Sequence, residues 1–241
     1  MNIGLYQAAA ALNTAERWQE VVAQNLASAG VPGFKKQELS FTAVEAGLQQ
    51  PIMPGASVVT NFQAGQLRAT GVPTDVAIDG AGFFAVQLPN GDTAYTRDGE
   101  FQLNAQGELV TKQGYPVMAD GGTIQVDRAN PAPLSISADG TVSQGADVKG
   151  RLTVATFNDT QLLSPISAGY FLATNPALQT SEAAGAGVRQ GWLESANTSP
   201  VAEMANLIAA MRHYEANQRL IQMHDERMGR AISELGNPNS A

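Results

Sequence analysis

The feature that most constrains this chain is a pair of end segments, each carrying one apolar stripe at helical spacing. Near the N-terminus Leu5, Ala8, Leu12, Ala15, Gln19, Val22 and Leu26 recur every three or four residues. Alanine is abundant there and favours helix, and small residues on a stripe permit close helix approach. Gly30-Val31-Pro32-Gly33 then ends the pattern, because proline cannot continue a helix and glycine accepts positive φ. Near the C-terminus Met204, Ile208, Met211, Tyr214, Gln218, Ile221, Asp225, Met228, Ile232 and Leu235 repeat in the same way, with Leu207 beside them. Ser199 and Pro200 suit the start of that helix, with Glu203 in its first turn opposing the helix dipole, and Gly236-Asn237-Pro238 suits its end. A helix of about 35 residues spans roughly 50 Å, more than the depth of an ordinary small domain. Two such stripes need cover, and pairing the ends with each other and with other copies supplies it.

Residues 71–192 carry a different pattern of short apolar runs and frequent turns. Asp75-Val76-Ala77-Ile78 and Phe83-Phe84-Ala85-Val86-Gln87-Leu88 flank a glycine turn, and Pro89-Asn90-Gly91-Asp92 leads as a hairpin into Thr93-Ala94-Tyr95-Thr96. Further turns are expected at Asp98-Gly99, Gln106-Gly107, Gly121-Gly122, Asp139-Gly140 and Lys149-Gly150. The expected fold is therefore α+β, with N- and C-terminal helices paired as a coiled coil and a central all-β domain of hairpins. Residues 1–30 and 199–236 form the discontinuous helical domain, 31–70 an extended connector, 71–192 a β-rich outer domain and 237–241 a tail.

Charged residues make up 15% of the chain against a usual share of about 25%, so much of the surface can face neighbouring subunits. The net charge of −8 disfavours nucleic acid as a partner, since phosphate binding needs clustered Lys and Arg and the adjacent pair Lys35-Lys36 is too short a patch. With no cysteine there is no disulfide framework or thiolate chemistry. Glu16, Arg17 and Glu20 interrupt the N-terminal apolar stretch, which argues against a cleaved secretory signal, and no apolar run is long enough for membrane insertion.

No catalytic, cofactor-binding or metal site is expected. Gly80-x-Gly82-x-x-Ala85 imitates a dinucleotide fingerprint, yet Phe83-Phe84-Ala85-Val86 continues as a strand where the fingerprint requires a helix. His213 and His224 stand eleven residues apart on one helix, with no ligand at the i+3 or i+4 spacing that metal sites use. Two histidines on a single helix assemble no Ser-His-Asp triad. Methionine on a helical stripe belongs to core or subunit interface far more often than to a promiscuous groove. Leu5, Leu12, Val22, Leu26, Met204, Leu207, Ile208, Met211, Tyr214, Ile221, Met228, Ile232 and Leu235 are the expected assembly interface.

The chain also resembles a known family. Leu5-Tyr6-x-Ala8-Ala9, Asn25-Leu26-Ala27, Gly33-Phe34-Lys35 and Phe41 are similar to the N-terminal signature of flagellar rod and hook proteins. Leu193-Glu194, Asn197, Glu203-Met204, Leu207-Ile208, Arg212-x-Tyr214-Glu215-x-Asn217 and Asp225-Glu226 resemble their C-terminal signature. Asp75 to Val86 with Gly80, Gly82, Phe83 and Phe84, then Tyr95-Thr96-Arg97-x-Gly99-x-Phe101 and Gly107-x-Leu109-Val110-Thr111, resemble the β-domain signature. Two positions depart from the pattern: Ser28 stands where Asn-Leu-Ala-Asn has its last Asn, and Ala196-Asn197-Thr198 replaces Ser-Asn-Val.

The resemblance implies a non-enzymatic subunit of the basal-body rod, a periplasmic shaft that transmits torque from motor to hook. Gly150-Arg151-Leu152-x-Val154-x-x-Phe157-x-Asp159 and the chain length favour the proximal rod, with the distal rod as the close alternative. Implied partners are other rod subunits, copies of the same chain and the flagellar type III export apparatus. An extracellular β-domain binding module with helical dimerisation arms is the alternative from another functional class.

Overall fold

The computed structural model describes residues 3–43, 54–167, 169–183 and 185–235. The fold is α+β, with two helices and many short strands. The expected tail 237–241, and Gly236-Asn237-Pro238 as the stop of the last helix, lie outside the described residues. The chain divides into two compact units, one built from Met1–Ala27, Gln37–Asn61 and Ser199–Ala241, the other from Ser28–Lys36 and Phe62–Thr198.

The first unit holds helix α1 (Ile3–Ala27), strands β1 (Gln37–Ala43) and β2 (Pro54–Thr60), and helix α2 (Pro200–Leu235). α2 begins at Pro200, whose missing N–H is no loss in a first turn, and Glu203 N–H donates to the Ser199 carbonyl at 2.9 Å as its first helical bond. α1 packs against α2. The Trp18 and His213 rings lie 5.6 Å apart, and Gln19, one residue on, reaches back to donate to the Ala210 carbonyl, so the helices run in opposite directions. Among the described residues neither helix is long and apolar enough to cross a membrane.

Residues 37–60 differ from the extended connector that the sequence suggests. β1 and β2 form an antiparallel hairpin, with Gln37 opposite Thr60 and Ala43 opposite Pro54. Its two strands pair only with each other, and Val58 and Val59 face solvent, so it lacks the alternating apolar pattern that marks a half-buried strand. Asn25 holds its start, accepting from Gln37 N–H and donating to the Gln37 carbonyl, both at 2.8 Å. Arg17 donates to the Ala56 carbonyl at 3.2 Å.

The second unit is built of short antiparallel strands. β3 (Leu67–Ala69) pairs with Trp192–Glu194, and β4 (Val76–Asp79) pairs with Gly187–Gln190. β5 (Phe83–Gln87) and β6 (Thr93–Thr96) make the hairpin expected at Asn90-Gly91, Gly91 supplying φ of 90°. They lie inside a six-stranded sheet whose other members are residues 154–157, 164–167, 170–172 and 180–182. Val76, Phe84, Val86, Leu109, Val117, Ile124 and Val142 are fully buried in one core, each such side chain contributing about 1.5–3 kcal/mol of transfer free energy.

Lys149-Gly150 is not a turn. Both lie inside the strand Asp147–Arg151, and the chain reverses at Gly145 instead, with φ of 64°. Gly150 suits its place in the strand because its φ of 153° is a backbone conformation that L side chains rarely adopt.

Candidate assembly surface

The residues that α2 turns toward α1 form a line of Glu203, Leu207, Ala210, Tyr214, Asn217, Ile221 and His224, all buried or half-buried and spaced four and three apart. Ala210 is fully buried, and its small side chain lets the α1 backbone approach. From α1 come buried Ala15 and Val22, with Leu12, Trp18 and Leu26 half-buried. Of the sequence-predicted interface residues, Leu12, Val22, Leu26, Leu207, Tyr214 and Ile221 therefore lie on covered faces.

Met204, Ile208 and Met211 do not. They are 48%, 54% and 51% exposed and, with Val201 at 74%, make a second apolar line roughly 100° around the helix from the first. Met228 is exposed near the far end of α2. The side chains of Leu5, Ile232 and Leu235 lie outside the described residues.

The signature residues separate by unit. In the helical unit Asn25 fastens β1, Glu203 is buried in the first turn of α2, and Asp225 and Glu226 are exposed. In the β unit, residues from all three signature blocks meet around Glu194, which is 1% exposed. Its Oε1 accepts from Lys35 Nζ at 2.5 Å and from Gly65 N–H at 2.7 Å, and its Oε2 accepts from Arg97 Nη1 at 3.3 Å. Lys35 Nζ also donates to the Gln63 carbonyl at 2.8 Å, and Arg97 Nη2 donates to the Gly80 carbonyl at 2.7 Å. The Arg97 guanidinium lies over the Phe83 ring, 5.3 Å from its centroid.

The backbone repeats this convergence. Gly33 N–H donates to the Glu194 carbonyl at 2.7 Å, and Asn197 accepts from Lys36 N–H at 2.7 Å while donating to the Gln63 carbonyl at 3.0 Å. Gly33 has φ of 67°, and a Cβ on it would stand 2.2 Å from the Arg97 backbone carbon. Gly82 has φ of 137° and no room for a side chain beside Val154 Cγ1. Phe34, Phe83 and Phe84 are all buried.

Burial pushes the Lys35 ammonium and the Arg97 guanidinium below their ordinary values, and Glu194 opposes the shift in both. Two buried cations thus share one buried carboxylate, an arrangement that fastens chain segments rather than catalyses. Lys35, Arg97 and Glu194 fall in separate sequence motifs, and no local spacing links them. The available signal was a charged residue at a fixed place in each of three blocks.

A helix presenting an uncovered apolar line, in a chain whose buried charges lock loops together, defines a structural protein made for assembly. Residues 77–144 match the flagellar hook protein FlgE/F/G D1 domain, and residues 189–234 match the flagellar basal body rod FlgEFG protein C-terminal region. The flagellar basal-body rod protein FlgF of Caulobacter vibrioides is 35% identical over 99% of this chain and 100% of its own. FlgF of Escherichia coli is 32% identical over 96% of this chain and 97% of its own. FlgG of Borreliella burgdorferi is 32% identical over 93% and 96% respectively.

The chain belongs to the family of flagellar basal-body rod proteins that includes FlgF and FlgG. It is a structural component of the basal body and not an enzyme.

Proposed function

We propose that this chain is a FlgF-like subunit of the proximal rod, which polymerises through its terminal helices into the axial drive shaft. The observation that carries the reading is the second apolar line of α2, Met204, Ile208 and Met211, left exposed when α1 covers the first. A helix with two apolar faces satisfies one within its own chain and offers the other to a neighbour. In the rod, the helices of successive subunits pack as a coiled-coil layer, and many modest helix contacts together resist torsion. The FlgF relatives support the proximal position: those of Caulobacter vibrioides and Mesorhizobium japonicum align over 99% and 98% of the chain, against 93% for FlgG of Borreliella burgdorferi. Under this reading the subunit passes through the flagellar type III export apparatus and works in the periplasm, between motor and hook, beside other rod subunits.

The test is complementation of a deletion strain. The natural chain restores swimming, and Ile208→Asp does not. Without the chain, basal bodies stop before the distal rod begins. Swimming by the Ile208→Asp strain overturns the reading, and basal bodies that stop only after most of the rod is built move the chain to the distal position.

A further inference from the structure

The first strands of the β unit depend on its last residues. β4 is paired by Gly187–Gln190 and β3 by Trp192–Glu194, and among the described residues neither has another strand partner. Between those two late strands, Gly191 N–H donates to the Asp75 carbonyl at 2.7 Å, and the Gly191 carbonyl accepts from Thr70 N–H at 2.8 Å. Gln190 reaches a third region, accepting from Ile136 N–H at 3.1 Å and donating to the Leu134 carbonyl at 2.9 Å. Val188 completes the main core, and Leu193 is buried as well. Residues 187–194 thus bind segments that lie far apart in sequence.

The charges oppose closure without those residues. Arg97 follows β6, with Nη2 on the Gly80 carbonyl and its guanidinium over Phe83, so packing β5 and β6 beside β4 buries it. Lys35 enters the same place from residues 28–36, where the charge of Arg97 works against its own. Among the described residues Glu194 supplies the only carboxylate that reaches either cation. A unit closed without Glu194 would hold two buried cations and no counter-charge, which is far costlier than leaving both in water.

We propose that residues 187–197 are a closing strap, and that the β unit stays open until this late segment is in place. A chain is made from its N-terminus, so strands β3 to β6 exist well before their cover and counter-charge do. They remain solvated until the strap docks, and the unit then closes in one step. Docking also fastens the segments at the two ends of the unit. Gly33 N–H donates to the Glu194 carbonyl at 2.7 Å, and Asn197 N–H donates to the Phe34 carbonyl at 3.2 Å. The delay suits a subunit that passes through an export apparatus before it assembles. That consequence rests on the rod-subunit reading above, whereas the order of closure does not.

Trp192 lies in the strap, and replacing Trp18, the other tryptophan, by Phe makes fluorescence report the strap alone. The full chain carrying Trp18→Phe is refolded from urea while pulsed hydrogen exchange with mass spectrometry follows the amides of residues 83–96. The expected result is one rate constant, the same within about twofold for the Trp192 signal and for protection of β5 and β6. Protection of β5 and β6 that precedes the Trp192 signal by about tenfold or more in rate overturns the proposal. A second full-length variant, Leu193→Ala, tests the same order. It is expected to slow folding by about tenfold or more and to leave unfolding nearly unchanged. Folding at the natural rate with faster unfolding shows that the strap docks after the sheet has formed, and overturns the proposal. Both readouts use the purified chain, so their failure leaves the rod-subunit reading standing, and swimming by Ile208→Asp overturns that reading without touching the order of closure.

Discussion

Lys35 Nζ lies 2.5 Å from Glu194 Oε1, both side chains 1% exposed, across 159 residues of sequence. Arg97 approaches the other oxygen of the same carboxylate, so one buried acid holds the start, middle and end of the β unit together. Replacing a buried ion pair as a whole is often tolerated, but removing one partner leaves charge without compensation. Glu194→Gln strands two cations and is expected to destabilise the β unit by about 3–5 kcal/mol. Urea unfolding followed by far-UV circular dichroism checks it, and a change below about 1 kcal/mol contradicts the assigned role.

Gly33 and Gly71 separate two costs of adding a side chain. Both have positive φ, 67° and 71°, but a Cβ on Gly71 meets open space while one on Gly33 meets the Arg97 backbone. Gly71→Ala is expected to cost about 1–2 kcal/mol from backbone strain alone. Gly33→Ala is expected to cost several times more, because backbone on the far side of a buried network cannot shift cheaply. Thermal melts of the two variants side by side give the difference, and equal melting temperatures refute the close approach.

Asp98 makes the β unit less stable as pH rises. Burial lifts its carboxyl from 3.8 to about 6, with Glu100 and Asp75 adding to the shift and Lys112 and the Glu100 N–H bond opposing it. The folded state therefore holds a proton that the unfolded chain releases, and stability falls as pH climbs from about 4 through about 6. A shift of about two units corresponds to roughly 3 kcal/mol lost at neutral pH. Asp98→Asn keeps an oxygen for the Glu100 N–H, which Asp98 Oδ1 accepts at 2.9 Å, and removes the charge. It is expected to be the more stable protein at pH 7.5 and to lose that advantage near pH 4, as melts at the two pH values will show.

The two apolar lines of α2 predict opposite phenotypes. Ala210, fully buried, has no room for added methylenes, so Ala210→Leu is expected to weaken the helical unit by about 1–3 kcal/mol. Ile208, 54% exposed, is expected to accept Asp with little change in the helicity or melting of the isolated chain. Circular dichroism of the two variants distinguishes the faces, and a large loss of helicity from Ile208→Asp would show that the line is covered within one chain.

Much of the architecture was legible because it rests on local chemistry. Pro200 opens α2, Gly33 takes the left-handed backbone after α1, and Asn90-Gly91 turns the β5–β6 hairpin. Local signals also misled. Gly150 resembles turn glycines in sequence but takes its positive φ within a strand, and the β1–β2 hairpin carries little of the alternation expected of strands. The apolar period of α2 was visible too, yet Met204, Ile208 and Met211 are not the members that α1 covers.

By itself the sequence determined that both ends are helices with apolar lines and that the middle is strands and turns. These follow from spacing and residue type, which act over a few neighbours, whereas the rod family came from the resemblance of three signature blocks and from the relatives that match the chain. Only the tertiary structure decided which line of α2 faces α1, and that Lys35, Arg97 and Glu194 form one buried network. Both depend on how distant segments approach, where burial and geometry choose among pairings that local sequence leaves equal.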